Sequence, residues 1–152
     1  MKAVVALGAN LDDPASAMQL AVALLREATQ VLAVSTFHQT KPVGGPPQPD
    51  YLNAACIIES ELTPGELLSL LHGIEKSMGR VRIEQWGPRV IDLDLITFGD
   101  LVSDDPTVVL PHPRAHEREF VLAPWLEIDP DAEIPSKGRV DQLLFALQEN
   151  SP

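Results

Sequence analysis

The chain has 152 residues, 45% of them hydrophobic, and a single cysteine, enough for one domain spanning residues 1–152 to bury a core without disulfides or a structural metal. Eleven basic against 22 acidic residues give a net charge of −11, which disfavours a general affinity for nucleic acid or an anionic membrane. The longest apolar runs, "AVALL" and "YLNAACII", are too short to span a bilayer, and "MKAVVALGAN" lacks the apolar core and cleavage site of a secretion signal, so the expected location is cytoplasmic.

In chain order, "KAVVALGAN" reads as a short buried strand ending at Gly8, followed by the loop "GANLDDP". Asp13 and Pro14 suit an N-cap and first turn, and Ala17, Leu20, Ala21, Leu24, Leu25 and Ala28 recur at helical spacing, which predicts a first helix. "VLAVSTFHQT" is rich in β-branched residues and reads as a second strand. "KPVGGPPQPD" then packs four prolines and two glycines into ten residues, a stiff loop suited to walling a ligand. "YLNAACIIES" is a third strand, in which Cys56 reads as a small core residue. "TPGELLSLLHGIEKSMG" opens with a capping box of Thr63 and Glu66, with Pro64 in the first turn. The helix is expected to bury Leu67, Leu70, Leu71 and Ile74 and to stop at Gly79. A donor-rich loop, "RVRIEQWGP", leads into a fourth strand, "RVIDLDLITFG". The order β-α-β-β-α-β is the ferredoxin-like α+β arrangement, an antiparallel sheet with two helices packed on one face. "PHPRAHEREFVLAPWLEID" adds one or two short C-terminal helices and "VDQLLFALQ" a last one.

The fourth strand carries the chemistry. Strand side chains alternate, so Asp92 and Asp94 point one way while Ile91, Leu93 and Leu95 point into the core. At roughly 3.3 Å rise per residue the two Asp Cα atoms lie about 6–7 Å apart, close enough for both carboxylates to converge on hard cations. An Asp-x-Asp pair facing plain solvent has the same pattern. Arg80, Arg82, Arg89, Arg114 and Arg118, five of the eleven cations, fall within 39 residues around the pair. Arginine suits bidentate contact with phosphate, although seven acids in the same window also suit ordinary ion pairing. Carboxylates, divalent ions and arginines together fit a polyphosphate, and no Walker A or G-x-G-x-x-G sequence is present.

"RVRIEQWGPRVIDLDL", with "LPHPRAHEREFVLAP" after it and "TKPVG" and "QPDYLNAA" before it, resembles the hydroxymethyl-dihydropterin pyrophosphokinase family. The likeness runs essentially end to end from "ALGAN" onward. Each piece alone is common, and their joint order and spacing is specific. The resemblance implies a Mg²⁺-dependent transferase of folate biosynthesis that moves pyrophosphate from ATP to the hydroxymethyl group of 6-hydroxymethyl-7,8-dihydropterin and releases AMP. Its partners are those two small molecules, and its cofactor two Mg²⁺ ions. By the same resemblance Asp92 and Asp94 hold the metal. Arg80, Arg82, Arg89 and Trp86 form the catalytic loop set. Glu75, Arg82, Arg89, Leu95, His112 and Arg118 meet the nucleotide, Leu95 through its backbone. Tyr51 and Phe120 sandwich the pterin, Asn53 reads its edge, and Thr40 and Val43 contribute loop backbone contacts.

The chain departs from the family pattern in having Gln85 where a basic residue commonly precedes the tryptophan, a catalytic loop one residue shorter, Lys41 for a frequent proline and His72 for a frequent glutamine. A flat heterocycle gains from aromatic faces and from a side-chain amide that both donates and accepts. Two other functions share parts of this pattern: a pterin-binding module without turnover, and a metal-dependent phosphodiesterase using the same Asp pair.

Overall fold

The computed structural model describes residues 1–41, 49–80 and 90–150, with Arg80 given by its backbone alone. Strand β1 (Lys2–Ala9) is apolar at consecutive positions, Ala3 to Leu7 being buried, as a strand covered on both faces requires. It lies between β4 (Tyr51–Glu59) and β5 (Asp92–Phe98), antiparallel to both, and with β2 (Gln30–Val34) the order is β2-β4-β1-β5.

The first helix, α1 (Pro14–Ala28), starts as expected: Asp13 caps it by accepting from the Ser16 N–H at 3.2 Å and the Ser16 hydroxyl at 2.7 Å. Its buried stripe is Ala17, Met18, Ala21 and Leu25, whereas Leu20 is 45% exposed. The capping box of α2 (Pro64–Arg80) forms in both directions, Thr63 N–H to Glu66 at 2.9 Å and Glu66 N–H to the Thr63 hydroxyl at 3.2 Å.

The expected second strand is two. β2 (Gln30–Val34) and β3 (His38–Thr40) both pair with β4. Between them the Ser35 hydroxyl accepts the Ala55 N–H at 3.0 Å while Ser35 N–H donates to the Ala55 carbonyl at 2.9 Å, so a side chain takes one place in the ladder and the strand breaks.

Residues paired across strands share a face. On one face Ala3, Val5 and Leu7 of β1, Ala54, Cys56 and Ile58 of β4 and Leu93 and Leu95 of β5 pack against α1 and α2. On the other, Val4, Ala6, Ala55 and Ile96 pack against Val121, Leu122 and Trp125 of α3 (Glu119–Ile128) and Val140 and Leu144 of α4 (Val140–Glu149). The C-terminal helices therefore cover the face that the ferredoxin-like reading leaves open. A register shift in β5 passes over Ile96, since Val5 pairs with Leu95 and Val4 with Thr97; Ile96 stays on the Asp94 face in the second core, and the bulge returns Phe98 to the first. A turn of 3₁₀ helix (Ala115–Glu117) precedes α3, and a small hairpin, β6 (Glu133–Ile134) and β7 (Gly138–Arg139), links α3 to α4. No described helix is long and apolar enough to cross a membrane.

Candidate active site

Along the second face the rows of the sheet change character. Ala55, Ala6 and Asp94 stand side by side, and in the next row Asn53, Gly8 and Asp92. Beyond these rows α3 no longer caps the sheet, and a cavity of about 290 Å³ opens over them. Its floor is Ala6, Gly8, Asp92 and Asp94; Thr40, Lys41, Tyr51 and Asn53 line one side and Arg118, Phe120 and Val121 the other. Gly8 creates part of the space, since a Cβ there would lie 3.2 Å from Asn53 Oδ1.

Asp92 is exposed and Asp94 half-buried, and both face this one cavity, as strand alternation predicts. Arg118, at the cap position of α3, stands 3.9 Å from an Asp94 oxygen with its Nη1 and holds its Cζ 5.6 Å from the Phe120 ring centroid. The same guanidinium thus touches the acidic half and the aromatic half of the cleft. Phe120 is 38% exposed, an aromatic left at the cavity wall by the first turn of α3. Asn53 is buried and donates from Nδ2 to the Thr40 hydroxyl at 2.6 Å. This bond fixes the amide plane and leaves its remaining groups to meet a ligand. Tyr51, the first residue of β4, sits opposite Thr40 in the ladder.

Glu75 of α2 accepts the Leu93 N–H at 2.8 Å. It braces β5 from its outer edge midway between the two aspartates. Leu95 buries its side chain in the core shared with α1 and α2, so only its backbone is free to face a ligand. His112 N–H donates to the Ile96 carbonyl at 2.8 Å, which places the half-buried imidazole beside β5. Burial holds this imidazole below its ordinary pKa; Asp94 opposes the shift, and Arg118 and Arg114 add to it. The neutral ring accepts the Arg114 N–H on Nδ1 at 3.2 Å, so its proton resides on Nε2 as a donor. Val43, Arg82, Trp86, Arg89 and the Arg80 side chain lie outside the described residues.

Sequence reasoning gave no site role to Gly8, Lys41 or Asn10. The first two line the cavity. Asn10 is buried just after β1 and donates to the Pro49 carbonyl at 3.3 Å, on the far side of the proline-rich loop. A buried Asn following a strand-ending Gly was the available signal, but the meaning of Gly8 depends on register.

Two carboxylates, a guanidinium and an aromatic-and-amide slot line one half-covered sheet face, a chemistry suited to an anionic group beside a flat ring. The sequence pattern described as 7,8-dihydro-6-hydroxymethylpterin-pyrophosphokinase (HPPK) matches residues 4–130, and the chain belongs to that family. A Haemophilus influenzae protein named 2-amino-4-hydroxy-6-hydroxymethyldihydropteridine pyrophosphokinase is 38% identical over 144 residues, covering 93% of this chain and 90% of the relative. A Bacillus subtilis protein of the same name is 44% identical over 128 residues, covering 83% and 77%. In fold, the chain is similar to a Plasmodium falciparum HPPK-DHPS crystal structure with pteroate, with TM-score 0.77 at 13% identity, covering 95% of this chain and 42% of that one.

Proposed function

We propose that the cleft carries out the reaction of the family, transfer of pyrophosphate from ATP to the hydroxymethyl group of 6-hydroxymethyl-7,8-dihydropterin in folate biosynthesis. The observation that supports this most is that Asp92, Asp94, Asn53, Tyr51 and Phe120 all line one cavity. Such a site joins a seat for a charged phosphate chain to a slot for a flat ring. The pterin lies between Tyr51 and Phe120, and the Asn53 amide, oriented by Thr40, reads its donor and acceptor edge.

Two aspartates on one face with hard oxygen donors suit Mg²⁺. Among the described residues no group of three or more His, Cys, Asp or Glu side chains converges, so Asp92 and Asp94 would hold the ions together with oxygens of the triphosphate and water. When bound, Mg²⁺ supplies charge neutralisation to the triphosphate. The chain's own groups do the rest. Arg118 offers a guanidinium to phosphate oxygens from beside Asp94, and His112 donates from Nε2. Glu75 keeps the aspartate pair in register through Leu93, which spares reorganisation when charge develops. The pterin hydroxyl oxygen attacks the β-phosphorus, a new O–P bond forms, the bond from that phosphorus to the α-phosphate oxygen breaks to release AMP, and the hydroxyl proton passes to water. Phosphoryl-type transfer rests mainly on positioning and charge, and no general base is assigned. The catalytic-loop roles of Arg80, Arg82, Trp86 and Arg89 are part of this proposal and rest on the family resemblance.

³¹P NMR of ATP and Mg²⁺ with and without the dihydropterin tests the reading. AMP and a pterin diphosphate should appear together, only when all three components are present. Production of ADP, or ATP hydrolysis without the pterin, would overturn it.

A further inference from the structure

Strand β3 is only three residues long, and the proline-rich loop follows it directly. Too short to fix its own position, it nevertheless forms one side of the cleft. His38 and Thr40 lie on the same face as their ladder partners Asn53 and Tyr51. At the cleft end Thr40 is tied to Asn53. At the other end the tie comes from Glu127 in the last turn of α3. Its Oε2 accepts the Thr36 N–H at 2.7 Å, and its Oε1 accepts both the Thr36 hydroxyl and His38 Nε2 at 2.7 Å.

Both carboxylate oxygens are engaged by charge-assisted bonds of the stronger kind. Those bonds hold the Glu127 carboxyl down to about 2, the Thr36 N–H contributing most, then His38 and the Thr36 hydroxyl. Glu127 follows Phe120 by seven residues in the same helix, two turns along, so the two side chains share a face of α3. One helix face thus carries an aromatic wall at one end and the anchor of the opposite wall at the other.

We infer that Glu127, acting through Thr36 and His38, is a positioning residue that sets the gap between Tyr51 and Phe120 and hence the fit of the flat ring. This rests on the reading of the cleft as a pterin site. Glu127 touches no substrate; it ties β3 to the helix that bears Phe120. Loss of the anchor lets Thr40 and Tyr51, which lie beyond the β1–β4 ladder, move relative to Phe120, while Asn53, Asp92 and Asp94 stay paired through β1.

The test is steady-state kinetics with 6-hydroxymethyl-7,8-dihydropterin and ATP on Tyr51→Ala, Glu127→Ala, His38→Ala and His38→Gln. Glu127→Ala should raise the KM for the dihydropterin by about tenfold while kcat and the KM for ATP stay within about twofold. His38→Gln, which keeps a donor toward Glu127, should recover most of what His38→Ala loses. Should Glu127→Ala fail to fold, Thr36→Val removes one of its hydrogen bonds and carries the same test. A dihydropterin KM that is raised by Tyr51→Ala but unchanged by Glu127→Ala overturns the positioning role alone. Equal effects on both substrates also overturn it. An unchanged KM in Tyr51→Ala overturns the pterin slot itself.

Discussion

Ala54, Leu7 and Leu93 form one row across the central strands, all three at most 2% exposed and packed against α1 and α2. One residue along, the row is Asn53, Gly8 and Asp92, and it faces a cavity. The same backbone therefore builds a sealed core and a ligand floor from adjacent residues, because alternation sends each row to a different helix layer. On the first face the central strands β4, β1 and β5 pack against α1 and α2. On the second α3 and α4 cover only part, and polar residues occupy the part left over. Substitutions on the first face should cost stability and spare chemistry, and those in the uncovered part of the second the reverse.

The largest expected effect is on the second face. Asp92→Ala or Asp94→Ala should lower kcat by about 10³-fold or more, roughly 4 kcal/mol of transition-state stabilisation, with the thermal midpoint by circular dichroism held, since neither side chain belongs to a buried core. A variant that loses its fold along with its activity would merge the two faces into one. The mirror experiment is Leu71→Ala in α2, fully buried against the first face. It should cost about 2–5 kcal/mol of stability in urea titration, with kcat per folded molecule unchanged.

A subtler break is Gly8→Ala, which adds one methyl to the cavity floor 3.2 Å from Asn53 Oδ1. The amide must shift by a few tenths of an ångström, and its bond to Thr40 shifts with it. The expected result is a dihydropterin KM raised by about three- to tenfold, an unchanged ATP KM and little change in melting temperature. An unaltered dihydropterin KM would mean that Asn53 does not read the ring.

These tests also mark what was legible in the chain. The period-two pattern of "IDLDL" placed both aspartates on one face, and they line one cavity. Local capping chemistry at Asp13 and at Thr63 with Glu66 formed as the sequence spells it. What escaped was non-local. Whether α3 and α4 pack on the helix-covered face or the other depends on where the chain returns, and nothing in "EFVLAPWLEI" encodes it. The break at Ser35 depends on its hydroxyl meeting Ala55, twenty residues away. Gly8 looked like a strand end because its partners, Asn53 and Asp92, come from register alone.

The acid limb of stability separates the anchor of the second face from its floor. The folded Glu127 carboxyl lies near 2 against an ordinary 4.5, so its contribution is present above the unfolded value and is lost as pH falls through about 2. The stability gap between the parent protein and Glu127→Gln, followed by urea titration, should therefore narrow steadily from about pH 5 to about pH 2. A gap that stays constant over that range would show that the ionised carboxylate is not what ties β3 to α3. The Glu127 side chain is 34% exposed, so solvent screening keeps this effect below that of Leu71→Ala.

The smallest expected effect is no reaction at all. Cys56 is fully buried on the first face, and burial pushes its thiol up to about 12 against lesser pulls from the Val5 backbone and the Arg26 charge. At about pH 8 the thiolate fraction is then on the order of one part in ten thousand, so a thiol reagent must wait for the α1 and α2 layer to open. Labelling of the native protein with iodoacetamide should be far slower than in urea. Leu71→Ala, which loosens that layer, should speed it, and Asp92→Ala, which acts on the opposite face, should leave it unchanged. Equal acceleration in both variants would mean that the two faces open together, and the separation of core from ligand floor would then be one of geometry without energetic independence.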